Sequence, residues 1–445
     1  MIKCVKNKIK EWFNNKTIIF CLTLVLIYMI SGYCKWIEIG VGVVALVFFA
    51  ITSIQQGFCI FLFMHCFTLS NIIYDSCFII TISCYTAVLL IKYILGVKNG
   101  KYNVNKQLII WLLVFMLISI AISLPQPKYP SSTLYLNYFV LFYLFFAMRK
   151  EFSLNQGINY MLFGLILSCT LGVISLILPH YQYNPYIFER FNAMTNQTNY
   201  LYMRAMFLLT YFMYQFLNDE LKVGKFITLY AICALIVLST LSKFGIGLLA
   251  LFTIIFIILY LKKDFKQGIK VIGLFIILAL VVCLICYKLV KATFNRFFEV
   301  GDGSLGSMLT GRDDIWGDYW NAFCKNPFTI LFGNGLMADE VFITTQGKTR
   351  ASHSLYMFLL YRFGIIGVLA LLYIIYLFIR NINKKRPKLI AYLPLVWLLI
   401  ESLCENTFKC YNIMYFVLAG MILFKDSKPK ENIEQASISN EKTIE

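Results

Sequence analysis

The chain has 445 residues, of which 60% are hydrophobic and 14% charged, where a soluble protein carries roughly 25% charged residues. A mean hydropathy of +0.74 excludes a water-soluble globular fold and points to a polytopic membrane protein built of helices about 20 residues long, because lipid cannot satisfy open backbone groups. The formal charge of +18 would suggest nucleic acid in a soluble domain; here its distribution among the loops assigns it to topology, and no nucleic acid is expected.

The first sixteen residues are basic and precede an apolar run. No small-residue cleavage site follows Cys34, so the segment reads as an uncleaved first span. Fourteen apolar runs follow one another, at approximately 17–34, 36–55, 57–74, 75–96, 107–124, 133–148, 157–179, 200–216, 226–241, 244–261, 269–290, 354–379, 389–403 and 408–424. Several are short, and Gln55-Gln56-Gly57 is a thin separator. The predicted fold is therefore all-α, with about 12–14 transmembrane helices and one large extracytoplasmic loop that contains an amphipathic helix. Residues 1–290 form an N-terminal transmembrane bundle of about 11 helices, 291–353 the large loop, 354–424 the C-terminal transmembrane helices, and 425–445 a polar, disordered cytoplasmic tail.

Orientation follows from charge. With the N-terminus inside and the runs alternating, 26 of the 40 Lys and Arg fall on inner segments and the tail. This is the positive-inside distribution. Both termini are then cytoplasmic, and two polar stretches face outward: His180–Asn199 and Lys291–His353.

The candidate chemistry lies in those outer stretches. In the loop, Asp313 and Asp314 fall in the first turn of a helix started by Thr310 or Gly311. Ile315, Trp316, Tyr319, Trp320 and Phe323 share one face at helical spacing, and Pro327 stops it. Trp and Tyr favour the membrane interface, so this helix is expected on the bilayer surface. Arg312 sits at its N-terminus, where free N–H groups and the dipole favour anions. The spacing equally fits a lid helix whose Arg312 pairs with a nearby aspartate. His353 stands where the loop enters a span; a neutral imidazole there can take a proton from a sugar hydroxyl. Lys243, after Ser242 and before FGIG, is either a phosphate ligand or a snorkelling lysine.

Arginines inside spans are costly and default to function. Arg190 and Arg204 flank RFNAMTNQTN and read as substrate contacts. Arg362 reads instead as an ion-pair partner of Glu401 or Glu405. Asn196, Gln197 and Asn199 offer amides for sugar hydroxyls or for capping the next helix. His65, mid-span, reads as a packing residue. No phosphate-binding glycine loop with its lysine is present, nor any paired His/Cys metal spacing. No cofactor and no metal are expected, so a transferase would draw its energy from an activated lipid substrate.

Four places in the chain resemble the Wzy-type polysaccharide polymerase and O-antigen ligase family. RFNAMTNQTNY (Arg190–Tyr200) is similar to its outer motif before a span, and LSTLSKFGIGLL (Leu238–Leu249) to its Ser-Arg-Gly type turn. GRDDIW with FGNG resembles the start of its large loop. SHSLYMFLLYRFGIIGVL (Ser352–Leu369) resembles its His-bearing segment and the helix after it. Lys243 stands where that family typically has arginine.

The resemblance implies a metal-independent glycosyltransferase in the bacterial cytoplasmic membrane, acting on an undecaprenyl-diphosphate-linked oligosaccharide. By that analogy Arg312 and Lys243 would bind the diphosphate, and His353 would act as base on the acceptor hydroxyl or position it. The residues themselves add Arg204 and Arg190 as diphosphate contacts and Asn196, Asn199 and Trp316 as glycan contacts. The expected function is polymerisation of lipid-linked repeats for capsule, exopolysaccharide or O-antigen. The alternatives are a ligase of finished polymer and, from another class, a flippase for the lipid-linked repeat. Flippase and chain-length regulator proteins are the candidate protein partners, alongside membrane lipids.

Overall fold

The computed structural model describes residues 15–31, 36–67, 76–102, 132–175, 186–187, 190–195, 198–285, 287–298, 312–335, 338, 341–343, 347–382, 389–406 and 413–426, with short helical pieces between 109 and 122. Among the described residues sixteen α-helices can be bounded: α1 Lys16–Ser31, α2 Trp36–Ile51, α3 Ile54–Met64, α4 Ser76–Lys98, α5 Ser132–Ala147, α6 Leu154–Ser175, α7 Thr198–Leu217, α8 Val223–Ser239, α9 Lys243–Lys263, α10 Phe265–Ile285, α11 Tyr287–Phe298, α12 Arg312–Phe323, α13 Pro327–Phe332, α14 Leu355–Ile382, α15 Leu393–Cys404 and α16 Ile413–Asp426. Two antiparallel hairpins join them: β1 Tyr186–Ile187 with β2 Arg190–Phe191, and β3 Val341–Ile343 with β4 Lys348–Arg350. The chain is an all-α polytopic membrane protein. Among the described residues four helices are long and apolar enough to cross a bilayer, Ile79–Lys98, Leu154–Ser175, Lys243–Lys263 and Leu355–Arg380, and shorter apolar helices accompany them. Leu251, Ile254 and Ile258 of α9 and Leu369, Leu372 and Tyr373 of α14 are exposed, as lipid-facing side chains would be.

Helix α7 is the pillar. Every residue in it is buried except Asn199 and Gln215. A helix apolar on all sides belongs at the centre of a bundle, and α6, α8, α9 and α15 pack around it. On one flank α3 and α6 approach backbone to backbone, because Gly157 and Gly164 leave room. A Cβ on Gly164 would stand 2.6 Å from the Phe63 carbonyl oxygen. Small residues at such crossings are how helices pack closely in lipid. Farther along α6, a Cβ on Gly172 would lie 2.8 Å from the Cα of Ala193, and the Ala193–Met194 turn is fastened by a hydrogen bond from the Met194 N–H to Ser168 Oγ, 3.2 Å. The segment after β2 is thereby seated on α6.

Three boundaries differ from those predicted. The second and third runs divide at Thr52–Ser53, not at Gln55-Gln56-Gly57. Ser53 and Gln56 form a capping box that starts α3, so the glutamines belong to its first turn. Residue 291 lies inside α11, so helix continues past the predicted start of the loop. The run 354–379 is broken at Gly364, whose φ of 62° and ψ of −159° are not helical.

That break is filled by the loop. The carbonyls of Tyr361 and Arg362 accept hydrogen bonds from the backbone N–H groups of Asn334 (2.8 Å) and Gly335 (2.9 Å). Asn334 Nδ2 adds a third bond to the Tyr361 carbonyl at 3.0 Å. Gly333, at φ 73° and ψ −166°, and Gly364 both occupy a region open essentially only to glycine. A Cβ on Gly333 would fall 2.3 Å from the Arg362 carbonyl carbon, and one on Gly364 would fall 2.4 Å from that of Leu331. Two glycines thus let two backbones meet without side chains between them.

Candidate active site

The polar groups of the bundle converge on Glu405, the residue that ends α15. Its side chain is only 5% exposed. A carboxylate at such burial needs partners to offset lost hydration, and it has three. Arg312 Nη2 lies 3.7 Å from Oε1, His353 Nδ1 lies 3.8 Å from Oε2, and Asn199 Nδ2 donates to Oε1. The Asn199 carbonyl oxygen in turn accepts from Arg190 Nη2 at 2.9 Å, while Arg190 Nε donates to the Thr240 carbonyl at 2.8 Å. One chain of contacts therefore joins β2, α7, the α8–α9 turn, α15, α12 and the turn before α14.

His353 is held from both sides. Trp316 Nε1 donates to the carbonyl of Ser352 at 2.9 Å, Ser352 Oγ donates to the Ser354 carbonyl at 3.0 Å, and Tyr356 OH donates to the Leu399 carbonyl at 2.9 Å. These bonds tie the turn to α12 and α15. They sustain a left-handed backbone at His353, φ 48°, which a non-glycine residue adopts only when its surroundings dictate it. Ala193 (φ 49°) and Leu241 (φ 48°) are strained in the same way. Each lies in a segment that feeds the cluster: Ala193 after β2, Leu241 beside the Thr240 carbonyl that receives Arg190. Strain of this kind gathers at functional sites.

Arg312 begins α12 as predicted, with Asp313 and Asp314 in the first turn. The face carrying Ile315, Tyr319 and Phe323 is buried, but not in the bilayer surface as expected. Tyr319 packs edge-on against Tyr361 of α14, ring centres 5.0 Å apart, and its hydroxyl donates to the Arg350 carbonyl at 3.0 Å. The aromatic face fills the angle between α14 and the β3–β4 hairpin, and this packing is what brings Arg312 to Glu405.

Lys243 is the first residue of α9, half-buried, behind the N-cap Ser242, whose Oγ accepts from the Gly245 N–H at 3.3 Å. Gly245 presses on the ring of Tyr202, 2.8 Å from a would-be Cβ, and the Tyr202 hydroxyl donates to Glu401 Oε1 at 2.6 Å. In the chain, Lys243 follows by three residues Thr240, whose carbonyl anchors Arg190. Trp316 spends its N–H on Ser352 and keeps its ring partly exposed. Arg204 lies on α7, the central helix. It is 1% exposed, in the bundle core, where its field reaches His65, Cys66 and Tyr415. His65 packs there edge-on against Tyr415, 5.6 Å between ring centres. Asn196 and Gln197 lie outside the described residues.

The sequence reading missed Glu405 as the hub and offered it, with Glu401, as a partner of Arg362. In the structure Glu405 faces Arg312 and His353, and the Arg362 guanidinium lies over the Phe358 ring at 5.1 Å. The available signal was an acid at the very end of an apolar run, which is expensive enough to suggest a role.

Residues 228–372 match the family model described as O-antigen ligase. The match runs from α8 into the second half of α14, so it includes Lys243, Arg312, the 333–335 strap and His353, and it excludes Arg190, Asn199 and Glu405. No curated protein and no solved structure matches the chain.

Proposed function

We propose, with the match of residues 228–372 to the family model described as O-antigen ligase as premise, that the chain is a polymerase. It joins undecaprenyl-diphosphate-linked oligosaccharide repeats on the outer face of the bacterial cytoplasmic membrane, for capsule, exopolysaccharide or O-antigen. The observation that carries this reading is one buried carboxylate, Glu405, holding a histidine on one oxygen and an arginine on the other.

The chemistry follows from that arrangement. Glu405 faces Nδ1 of His353; when that contact tightens to a hydrogen bond, Nδ1 carries the N–H and Nε2 serves as the base. Nε2 takes the proton of an acceptor hydroxyl as its oxygen attacks the anomeric carbon of the donor. The bond from that carbon to the diphosphate breaks, and its electron pair leaves with the lipid diphosphate. A single displacement inverts the anomeric centre. Arg312, Arg190 and Lys243 bring three positive charges to a region whose buried carboxyl groups are Glu405 and Glu401. The surplus favours an incoming diphosphate and stabilises the charge that builds on it. The 3.7 and 3.8 Å separations are longer than hydrogen bonds, as catalytic contacts often are before substrate tightens them. Asn199 and Trp316 serve in this reading as scaffold for Arg190 and His353 as well as glycan contacts, and Arg204 is assigned to the bundle core. A ligase would use the same donor and the same groups on a different acceptor.

The phosphate role of Lys243 has a direct test. Lys243→Arg should retain transfer, because it keeps the charge and adds a bidentate donor, whereas Lys243→Ala should raise the donor KM roughly 10-fold or more, the loss of one charge-assisted hydrogen bond. Equal donor KM in the two variants would show that Lys243 only snorkels.

A further inference from the structure

The bilayer contact expected of α12 has to be made elsewhere, because the buried face of α12 is spent on α14. The exposed apolar surface of this region lies on α13. Phe328 is 54% exposed and Leu331 49%, with Trp320 at the end of α12 also 50% exposed. Phe328 and Phe332 hold their rings in a tilted contact, centres 5.1 Å apart, so the patch is a continuous aromatic and aliphatic surface and not scattered side chains.

What covers this surface follows from where α13 is fixed. The Gly333–Gly364 contact and the two backbone hydrogen bonds to the Tyr361 and Arg362 carbonyls pin the end of α13 against the break in α14. Beyond that break, Ile365–Ile382 is continuous helix. Eighteen residues rise about 27 Å at 1.5 Å each, close to the roughly 30 Å hydrocarbon thickness. The break, and α13 with it, therefore stands at the boundary between acyl chains and headgroups. Ile365 and Leu369, just past the break, are themselves exposed and share the medium that Phe328 and Leu331 meet.

Helix α13 is also built for a place short of water. Its Asn326 cap accepts the Thr329 N–H at 2.9 Å, and the Asn326 N–H donates back to Thr329 Oγ1 at 3.2 Å. Thr329 Oγ1 reaches the Phe323 carbonyl at 2.9 Å. The break it plugs would otherwise leave two carbonyls open at the edge of the hydrocarbon, where unpaired backbone groups are costly. Lys325, exposed just ahead of α13, suits a headgroup phosphate.

We infer that α13 is a membrane-interface anchor, with Phe328 and Leu331 inserted among lipid acyl chains, which fastens the 312–353 segment to the bilayer at the edge of the candidate active site. The occupant of the patch is lipid, not a protein partner. The inference concerns placement alone and stands whether or not the transfer chemistry is as proposed.

The test uses the full chain with Cys324, which is exposed, changed to serine; labelling of this parent sets the background. Phe328→Cys, Leu331→Cys and, as an aqueous reference on β4, Lys348→Cys each receive an environment-sensitive fluorophore. The proteins are placed in nanodiscs of phosphatidylcholine and phosphatidylglycerol, with or without brominated acyl chains. At 328 and 331, bromolipid should quench several-fold more strongly than aqueous iodide, with the reverse at 348. Iodide-dominated quenching at 328 and 331 would overturn the anchor. So would resistance to both quenchers, which would mean a protein surface covers the patch. If cysteine at 328 disturbs assembly, position 331 carries the same comparison alone.

Discussion

His353→Ala should lower the rate of glycan transfer by about 10²–10⁴-fold, the usual contribution of a positioned general base, while membrane insertion and donor binding persist. His353 is held at φ 48° by bonds to α12 on one side and α15 on the other, with its Nδ1 turned to a carboxylate. A histidine placed only for packing would not need a strained backbone or a buried acid behind it. Glu405 acts through His353, so its substitution should show a different signature. Glu405→Gln should depress kcat by less than His353→Ala does and leave the acceptor KM nearly unchanged, and Glu405→Asp should recover part of the rate. Turnover of a purified, reconstituted enzyme with lipid-diphosphate-linked repeat units measures all three. Full activity in His353→Ala would remove the base assignment.

Gly364→Val should be the most damaging single change to the fold of the site. The native backbone conformation there costs a non-glycine residue about 1–3 kcal/mol, and side-chain atoms forced into the Leu331 backbone add about 1–3 kcal/mol more. Because Gly333 faces the same contact, Gly333→Val should behave alike. The loss should be local first: the 333–335 strap leaves α14, the Tyr361 and Arg362 carbonyls lose their donors, and Arg312 and His353 lose their common frame. Limited proteolysis reads this directly. Cleavage within 312–350 should accelerate in either variant, while the bundle around α7 stays protected. Wild-type protease resistance in Gly364→Val would mean that the strap does not hold the loop.

Much of this arrangement was legible before any coordinates. Long apolar runs bounded by lysines give helices in lipid with little ambiguity, and the predicted spans 200–216 and 244–261 coincide closely with α7 and α9. The period of Ile315, Trp316, Tyr319, Trp320 and Phe323 gave α12; Ile315, Tyr319 and Phe323 are buried as that face requires, while Trp316 is half-buried and Trp320 exposed. What that period could not give is the surface it meets, because Trp and Tyr suit a bilayer interface and a protein groove equally well. The break at Gly364 was hidden by its apolar neighbours, since Phe-Gly-Ile-Ile-Gly reads as uninterrupted span until a second backbone is seen lying against it. Glu405 was hidden by distance along the chain. It is 206 residues from Asn199 and belongs to a different stretch from either His353 or Arg312, so only the packing of α15 against α7 and α14 brings the four together. Arg204 illustrates the opposite case. An arginine in a span invites a functional reading, and this one is enclosed by the core.

The central claim is that this chain lengthens lipid-linked glycan with His353 as the base. The most direct test is the gel profile of surface and lipid-linked glycan from a strain lacking the protein, complemented with wild type or with His353→Ala. The account predicts single repeat units in the deletion strain and with His353→Ala, and a ladder of polymer with wild type. A full ladder with His353→Ala would contradict the claim, as would long polymer retained on its lipid carrier in the deletion strain, which is the signature of a ligase.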